Sequence, residues 1–334
     1  MVLDRKRLVT SRAAENLYWL GRYTERSENT LRLVRLTLES LNGEHQSCAS
    51  LMKALQLMAE HNHLIPAGTP SPLQSRRVFE RALIASLSDQ QHSCSLGFDL
   101  QAVKSNASAV RERLSLEQWR MTVRAEQEFR DACATLQPQG DFSFVQVLKT
   151  LDTTSASLAA MTGAQIDRMT RDEGWRLMTI GRFVERLDFL SSAMNTLVQT
   201  DGLQEAGGFA AMLSLFDSTI TFHANYQQSR SVCALLELLV LNDDNPRSLA
   251  WVARALRKSL NKLPKANSKP MKKMLGLIPD PKYWDLDALC NEFHTLPAFG
   301  ALLHELTQAS WGVSDEISLR FFTHTQDAGR SLST

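Results

Sequence analysis

Two stretches of this chain carry the same pattern, and together they limit its fold more than any other feature. The first runs from Arg12 to Ser40 with no proline and one glycine; the second runs from Trp175 to Gln199. Gly21-Arg22-Tyr23 matches Gly181-Arg182-Phe183, Glu25-Arg26 matches Glu185-Arg186, and Glu28 matches Asp188. In the first stretch Leu17, Leu20, Thr24, Ser27, Leu31, Val34 and Leu38 recur at three- and four-residue steps, which predicts one long helix with a buried stripe. Glu15, Trp19, Arg22, Arg26 and Asn29 fall on roughly the opposite face, which is neither plainly core nor ordinary solvated surface.

The remaining sequence continues in helical periods broken by turn-forming clusters. Ser11 is the expected cap of the first helix, and Asp172 or Thr170 that of the second motif helix. A long helical run is expected from Phe209 to Leu241, with a break near His223. Asn242-Asp243-Asp244-Asn245-Pro246 reads as a stop and restart, with Pro246 in the first turn of the next helix. Pro138-Gln139-Gly140 is a break, and the lysine- and proline-rich stretch from Pro264 to Pro281 reads as a surface loop with a short helix. No series of alternating strands appears. The expected fold is all-α, an internally duplicated antiparallel helical bundle with its first repeat in residues 1–163 and its second in residues 164–334.

Lysine plus arginine number 37 against 36 aspartates and glutamates, so net charge gives no case for a nucleic-acid partner. The five cysteines are scattered, with no CxxC pair, which predicts reduced thiols and no structural zinc. The amino-terminal segment lacks an apolar export core, and no run reaches the roughly 18 to 20 apolar residues that span a bilayer. A cytoplasmic protein that does not enter the membrane is expected.

The chemistry lies in the repeated motif. A glycine inside a helix costs roughly 1 kcal/mol relative to alanine, and close helix packing is the physical reason to keep one. Arg22 and Arg26 share a helical face, as do Arg182 and Arg186, so each pair repels unless an anion compensates. Glu25 and Arg26 are adjacent and diverge by about 100° around the helix, so they cannot satisfy each other. A network across the halves follows: Glu25 meets an arginine of the second motif, and Glu185 one of the first. The alternative is a cleft in which the arginines bind a phosphate, a carboxylate or a peptide backbone. Trp19 fits a stacking role there. Trp175 stands at the position matching Glu15, and Thr179 at the position matching Trp19, so two identical sites are excluded.

Other chemistries find little support. There is no phosphate loop, no dinucleotide glycine fingerprint and no HExxH element. His61-Asn62-His63 lacks a carboxylate arrangement for metal, His223 and His324 have no evident catalytic partners, and Cys94 and Cys133 have no local histidine. No metal and no cofactor are expected.

At Ser11-Arg12, Ala14-Glu15-Asn16, Leu17-Tyr18-Trp19, Gly21-Arg22-Tyr23, Glu25-Arg26 and Glu28-Asn29-Thr30 the chain resembles the bacterial alpha-E family, also called DUF403. The resemblance continues through Asn106 to Leu114, Gly181 to Arg186, Asn245-Pro246-Arg247-Ser248 and Phe321-Phe322-Thr323-His324. It implies a helical domain that accompanies circularly permuted ATP-grasp proteins, which are predicted ligases forming amide or peptide bonds. The expected function is a noncatalytic partner or peptide-binding subunit of such an amidoligase system. Glu15, Trp19, Arg22, Arg26, Arg182 and Arg186 would form the ligand site for acidic groups of a peptide. The competing expectation is an enzyme of peptide or amide transfer or hydrolysis, with Glu25 and Glu185 moving protons. A third is a pure scaffold whose arginines are all paired in a closed core.

Overall fold

The long motif helix forms because an uninterrupted run of good helix formers presents apolar residues on a wide face. In the computed structural model it is α1, Ser11–Asn42. The structure describes residues 9–44, 48–90, 94–136, 143–227, 229–264, 268–290 and 296–322. The expected break at Pro138-Gln139-Gly140, as well as Thr323 and His324, lies outside them. All seven residues of the predicted stripe are buried. The cap is Thr10 rather than Ser11: the Thr10 side chain accepts from the Ala13 amide, and Ser11 has already entered the helix.

Next come α2 (Ala49–His61), α3 (Arg76–Ser86), α4 (Leu96–Ala109), α5 (Leu116–Leu136) and α6 (Phe144–Arg168), leading to the second motif helix, α7 (Glu173–Gln199). Asp172 caps α7 by accepting from the Trp175 amide. Then follow α8 (Ala206–Leu215), α9 (Thr219–Tyr226), α10 (Val232–Leu236), α11 (Leu249–Leu260), α12 (Lys269–Leu277), α13 (Leu286–Cys290) and α14 (Pro297–Phe321). Among the described residues every regular element is helical. No helix among them is long and apolar enough to cross a membrane.

The run expected from Phe209 to Leu241 with a break near His223 is three helices, and His223 lies inside the second of them, α9. Asp217 and Gln227 take positive φ, 51° and 56°, which ends α8 and α9. From Glu237 to Leu241 the chain widens into a π-turn continuing α10. Pro246 does not open α11; Ser248 caps it, accepting from the Trp251 amide, and the helix starts one residue later. The lysine-rich stretch holds α12 in place by burying Met271 and Met274, and Arg257 donates to the Leu275 and Ile278 carbonyls at its end.

The core lies around α1 and α7, whose packing departs from the antiparallel bundle expected. They run in the same direction: Leu17 meets Gly174, Tyr18 meets Gly181, Glu25 meets Arg186, and beyond both carboxyl ends the Cys48 thiol donates to Glu205. The helices α2 to α6 between α1 and α7 provide the return that a parallel pair needs. Antiparallel neighbours flank this pair. Across α7 and α14, Asp188 faces Ser310 while Ser191 faces Thr307. Along α1 and α4, Tyr23 stacks near Phe98, while Trp19, one turn back, shares a cleft with Asn106.

Candidate functional site

Glycine sets the distance between the two central helices. A β-carbon on Gly21 would lie 2.0 Å from the Met178 carbonyl oxygen, and one on Gly181 would lie 2.3 Å from the Tyr18 carbonyl oxygen. The backbones therefore touch at these positions, and the next turn of each helix carries its glutamate and arginines into the opening gap. Close packing, the reading favoured by helix propensity, is what both glycines do.

The charged side chains pair reciprocally. Glu185 on α7 accepts from Arg22 Nε at 2.7 Å, from Arg26 Nε at 2.7 Å and from Arg26 Nη2 at 3.0 Å. Glu25 on α1 accepts from Arg186 Nε at 2.6 Å, Arg186 Nη2 at 2.8 Å and Arg182 Nη2 at 3.3 Å. Arg26 and Arg186 thus present the forked donor geometry that suits a carboxylate. The cross-helix network expected from the sequence is present in both directions.

The two halves of the centre are not equal. Glu25 has a third guanidinium: Arg247 Nη1 lies 3.4 Å from it, and Arg247 Nη2 lies 3.5 Å from Glu28. Glu28 also accepts from Thr162 Oγ1 at 2.8 Å. Burial and the neighbouring charge of Arg186 pull the Arg247 pKa down to about 10. Asp188, which matches Glu28, is held by α14 instead, accepting from Ser310 Oγ and Trp311 Nε1. Ser314 of α14 accepts from Arg22 Nη1 and from the Tyr18 hydroxyl.

Burial differs as well. The side chains of Arg182 and Arg186 are 8% and 9% exposed, against 12% for Arg22 and 25% for Arg26. The first-motif arginines reach outward along aromatic rings. Arg22 lies over Trp19 at 5.2 Å and Arg26 over Tyr23 at 5.3 Å. Trp19 in turn lines an open cleft of about 530 Å³ with Arg12, Glu15, Asn16 and Asn106. The corresponding surface of α7 is different: Thr179 bonds back to the Trp175 carbonyl, and the Trp175 ring donates to the Gln165 carbonyl.

The electrostatics follow from these contacts. Burial alone would raise the pKa of Glu25, but Arg186, Arg247 and Arg182 overcome it and hold the carboxylate well below its ordinary range. Glu185 is likewise buried, and Arg26 and Arg22 together lower it. Two other carboxyls shift the opposite way. Burial, reinforced by Glu185, raises Asp188. Asp99 of α4 is completely buried and neither of its oxygens has a hydrogen-bond partner; burial raises its pKa well above the usual value, against the pull of Arg26.

Asp99 therefore opposes folding as its proton is lost. Its folded pKa is raised, so stability present at acid pH declines as pH climbs from the ordinary carboxylate range toward the folded value. Asp99→Asn should raise the Tm at pH 7 by several degrees and leave it nearly unchanged at pH 4. Thermal melts at the two pH values check this.

Sequence reasoning met Arg247 only within the family resemblance and gave it no place in the site, and it missed Asp99 and a second correspondence. Ser95 caps α4 and Ser248 caps α11; three residues on, Phe98 packs edge-on against Tyr23 and Trp251 against Phe183. Ser95-Leu96-Gly97-Phe98 thus matches Ser248-Leu249-Ala250-Trp251, a signal visible in the sequence once the aromatic partners are known. Among the described residues no group of histidine, cysteine, aspartate and glutamate side chains is placed to hold a metal ion.

The Glu-Arg pairs of α1 and α7 meet across the two helices. Residues 9–322 match Alpha-E, described as a predicted alpha-helical domain with a conserved ER motif. The chain belongs to the Alpha-E family. Similar curated proteins include uncharacterized proteins of Mycobacterium tuberculosis and Mycobacterium bovis. Each is 26% identical to this Alpha-E chain over 264 residues, covering 76% of this chain and 30% of the relative. The chain thus spans about a third of the length of these relatives. No solved structure matches it.

Proposed function

We propose that this Alpha-E protein is a noncatalytic, peptide-binding subunit that serves an ATP-grasp amidoligase. The observation that carries the noncatalytic part is the reciprocal pairing at the centre. A general base needs a pKa near the working pH and a free approach to a proton. Glu25 and Glu185 have neither, because each is buried, ionised and occupied by two or more guanidinium groups. This argues against the competing reading in which they transfer protons.

Arg182 and Arg186 serve this proposed site by fixing Glu25 and the spacing of α1 and α7. The ligand approaches from the other side, where Arg22 and Arg26 are more open and backed by Trp19 and Tyr23. Glu15 and Trp19 line the adjoining cleft together with Arg12. Acidic groups of a peptide fit this arrangement: the guanidinium edges supply donors and the tryptophan supplies an apolar face. The ligase as partner rests on the family resemblance. A role inside a larger assembly also agrees with relatives in which a chain like this one accounts for under a third of the length.

The same reading takes the chain as an internal duplication, with residues 1–163 and 164–334 as its halves. The motif helices and the two serine-capped helices, α4 and α11, support it.

The test is reconstitution with the cognate ligase and a glutamate-containing peptide, followed by calorimetry and product assay. The expected result is a complex in which Trp19→Ala weakens peptide binding about tenfold, roughly 1.4 kcal/mol, without dissociating the two proteins. If they neither associate nor alter peptide binding or product formation, the proposal fails. Turnover by the isolated chain would instead establish the enzyme reading.

A further inference from the structure

Asn16 on α1 and Asn106 on α4 both line the open cleft beside Trp19, and both are half-buried. Each donates its side-chain amide to a backbone carbonyl one turn earlier on its own helix: Asn16 Nδ2 to Arg12 at 2.7 Å, and Asn106 Nδ2 to Ala102 at 2.8 Å. A flipped carboxamide would set oxygen against oxygen, so these bonds leave the oxygen as the end turned away from that carbonyl. Neither Oδ1 accepts a hydrogen bond from a described residue. With the Glu15 carboxylate in the same lining, the cleft is rich in acceptors. Its cation, Arg12, is exposed.

Farther along the same face of α1 the chemistry reverses. Arg22 uses Nε on Glu185 and Nη1 on Ser314, and Arg26 uses Nε and Nη2 on Glu185. Arg22 Nη2 and Arg26 Nη1 are the donors left over. Trp19 stands midway, three residues after Asn16 and three before Arg22, so the three side chains follow one stripe. The helix rises about 9 Å from Asn16 to Arg22, roughly the span of two or three extended peptide residues. The second motif has no equivalent. There Arg176 and Thr179 match Asn16 and Trp19, and Thr179 is bonded to the Trp175 carbonyl.

We infer that this cleft is a subsite for a primary ammonium group, the free amino terminus of the peptide whose acidic side chain meets Arg22 and Arg26. The inference rests on the peptide-binding reading and deepens it by giving the peptide a direction. An ammonium group carries three donors and no acceptor, and Asn16 Oδ1, Asn106 Oδ1 and Glu15 supply acceptors of the matching kind. A carboxylate placed there would meet the same oxygens and be repelled. Trp19 lies against the backbone between the two ends, and the exposed Arg12 is left for the first peptide carbonyl. The acidic residue then falls within the first three of the peptide. An internal segment fits less well, since each of its amides offers one donor and no charge.

The experiment is calorimetry of the full chain with carboxyl-amidated tetrapeptides, Ala-Glu-Ala-Ala and Ala-Gln-Ala-Ala, each with a free and an acetylated amino terminus. The free glutamate peptide should bind most tightly, and acetylation should weaken it about tenfold, the scale of one charge-assisted hydrogen bond. Asn106→Ala should erase that difference by weakening the free peptide alone. Asn106→Asp, which keeps an acceptor and adds charge, should preserve it. Unchanged melting temperatures show that both variants fold. Equal affinity for the free and acetylated glutamate peptides, or equal weakening of both by Asn106→Ala, would overturn the inference and leave acidic-peptide binding standing. No binding of any of these peptides, or no preference for glutamate over glutamine, would overturn the reading at the arginines and the inference with it.

Discussion

Replacing Gly21 with alanine is expected to cost about 3 kcal/mol or more of folding stability, although alanine is the better helix former by roughly 1 kcal/mol. The added β-carbon would sit 2.0 Å from the Met178 carbonyl oxygen. That neighbour is backbone, so no rotamer change relieves the clash; α1 and α7 must move apart. Separation lengthens every Arg–Glu contact in the turns above. Gly181→Ala should act similarly, through the Tyr18 carbonyl. Gly163, where a β-carbon would meet nothing within 4 Å, is the control: Gly163→Ala should be neutral or slightly stabilising. Urea unfolding of the three variants, compared at equal slope, separates these outcomes. Equal behaviour at all three positions would remove close packing as the reason for the motif glycines.

The second large effect is at Glu25. Its removal leaves Arg182, Arg186 and Arg247 crowded in a buried space with their main counter-charge gone. Breaking one side of a buried ion pair costs about 3–5 kcal/mol because the remaining charge stays buried and uncompensated. Glu25→Ala should reach that range, whereas Glu39→Ala, which breaks an exposed pair with Arg35, should cost no more than about 0.5 kcal/mol. Solution pH tests the same point. Glu25 and Glu185 have folded pKa values below their unfolded ones, so their contribution is fully present above the ordinary carboxylate range. It is lost as pH falls from roughly 4 toward the folded values. The unaltered chain should therefore lose stability steeply in acid, and Glu25→Ala should lose less over the same interval. Chemical unfolding at pH 7, 4 and 3 gives the comparison.

How much of this centre could be read from sequence depended on distance along the chain. Gly21, Glu25 and Arg26, with their counterparts, lie on two strongly periodic helices; the wheel sets Arg26 opposite the apolar stripe, and the divergence of neighbouring Glu and Arg is what points to pairing across helices. Arg247 lies in an irregular turn, and nothing local tells that its guanidinium reaches Glu25. Asp99 sits in the first turn of α4, where an acidic residue is ordinary; only the packing of α4 on α1 buries it beside Arg26. The direction of α1 relative to α7 was not encoded in either motif, since reciprocal pairing satisfies parallel and antiparallel helices alike. The break expected near His223 falls instead at Asp217 and Gln227, because both residues adopt positive φ without the glycine that usually marks it.

The aromatic side of the motif was only partly legible. The helical wheel sets Trp19 on the charged face, and the structure puts it between Arg22 and the open cleft. That its counterpart in α7 is Thr179 gives the centre one outward-facing side, and the peptide-binding proposal is directed to that side.

The most direct measurement of the central claim is a double-mutant cycle between Glu25 and Arg186, with Glu25→Gln, Arg186→Leu and the pair unfolded in urea at pH 7. If the two side chains clamp α1 to α7, each single change leaves a buried unmatched group and the second change recovers part of the loss. A coupling energy of about 2 kcal/mol is then expected. Additivity within about 0.5 kcal/mol would contradict the clamp.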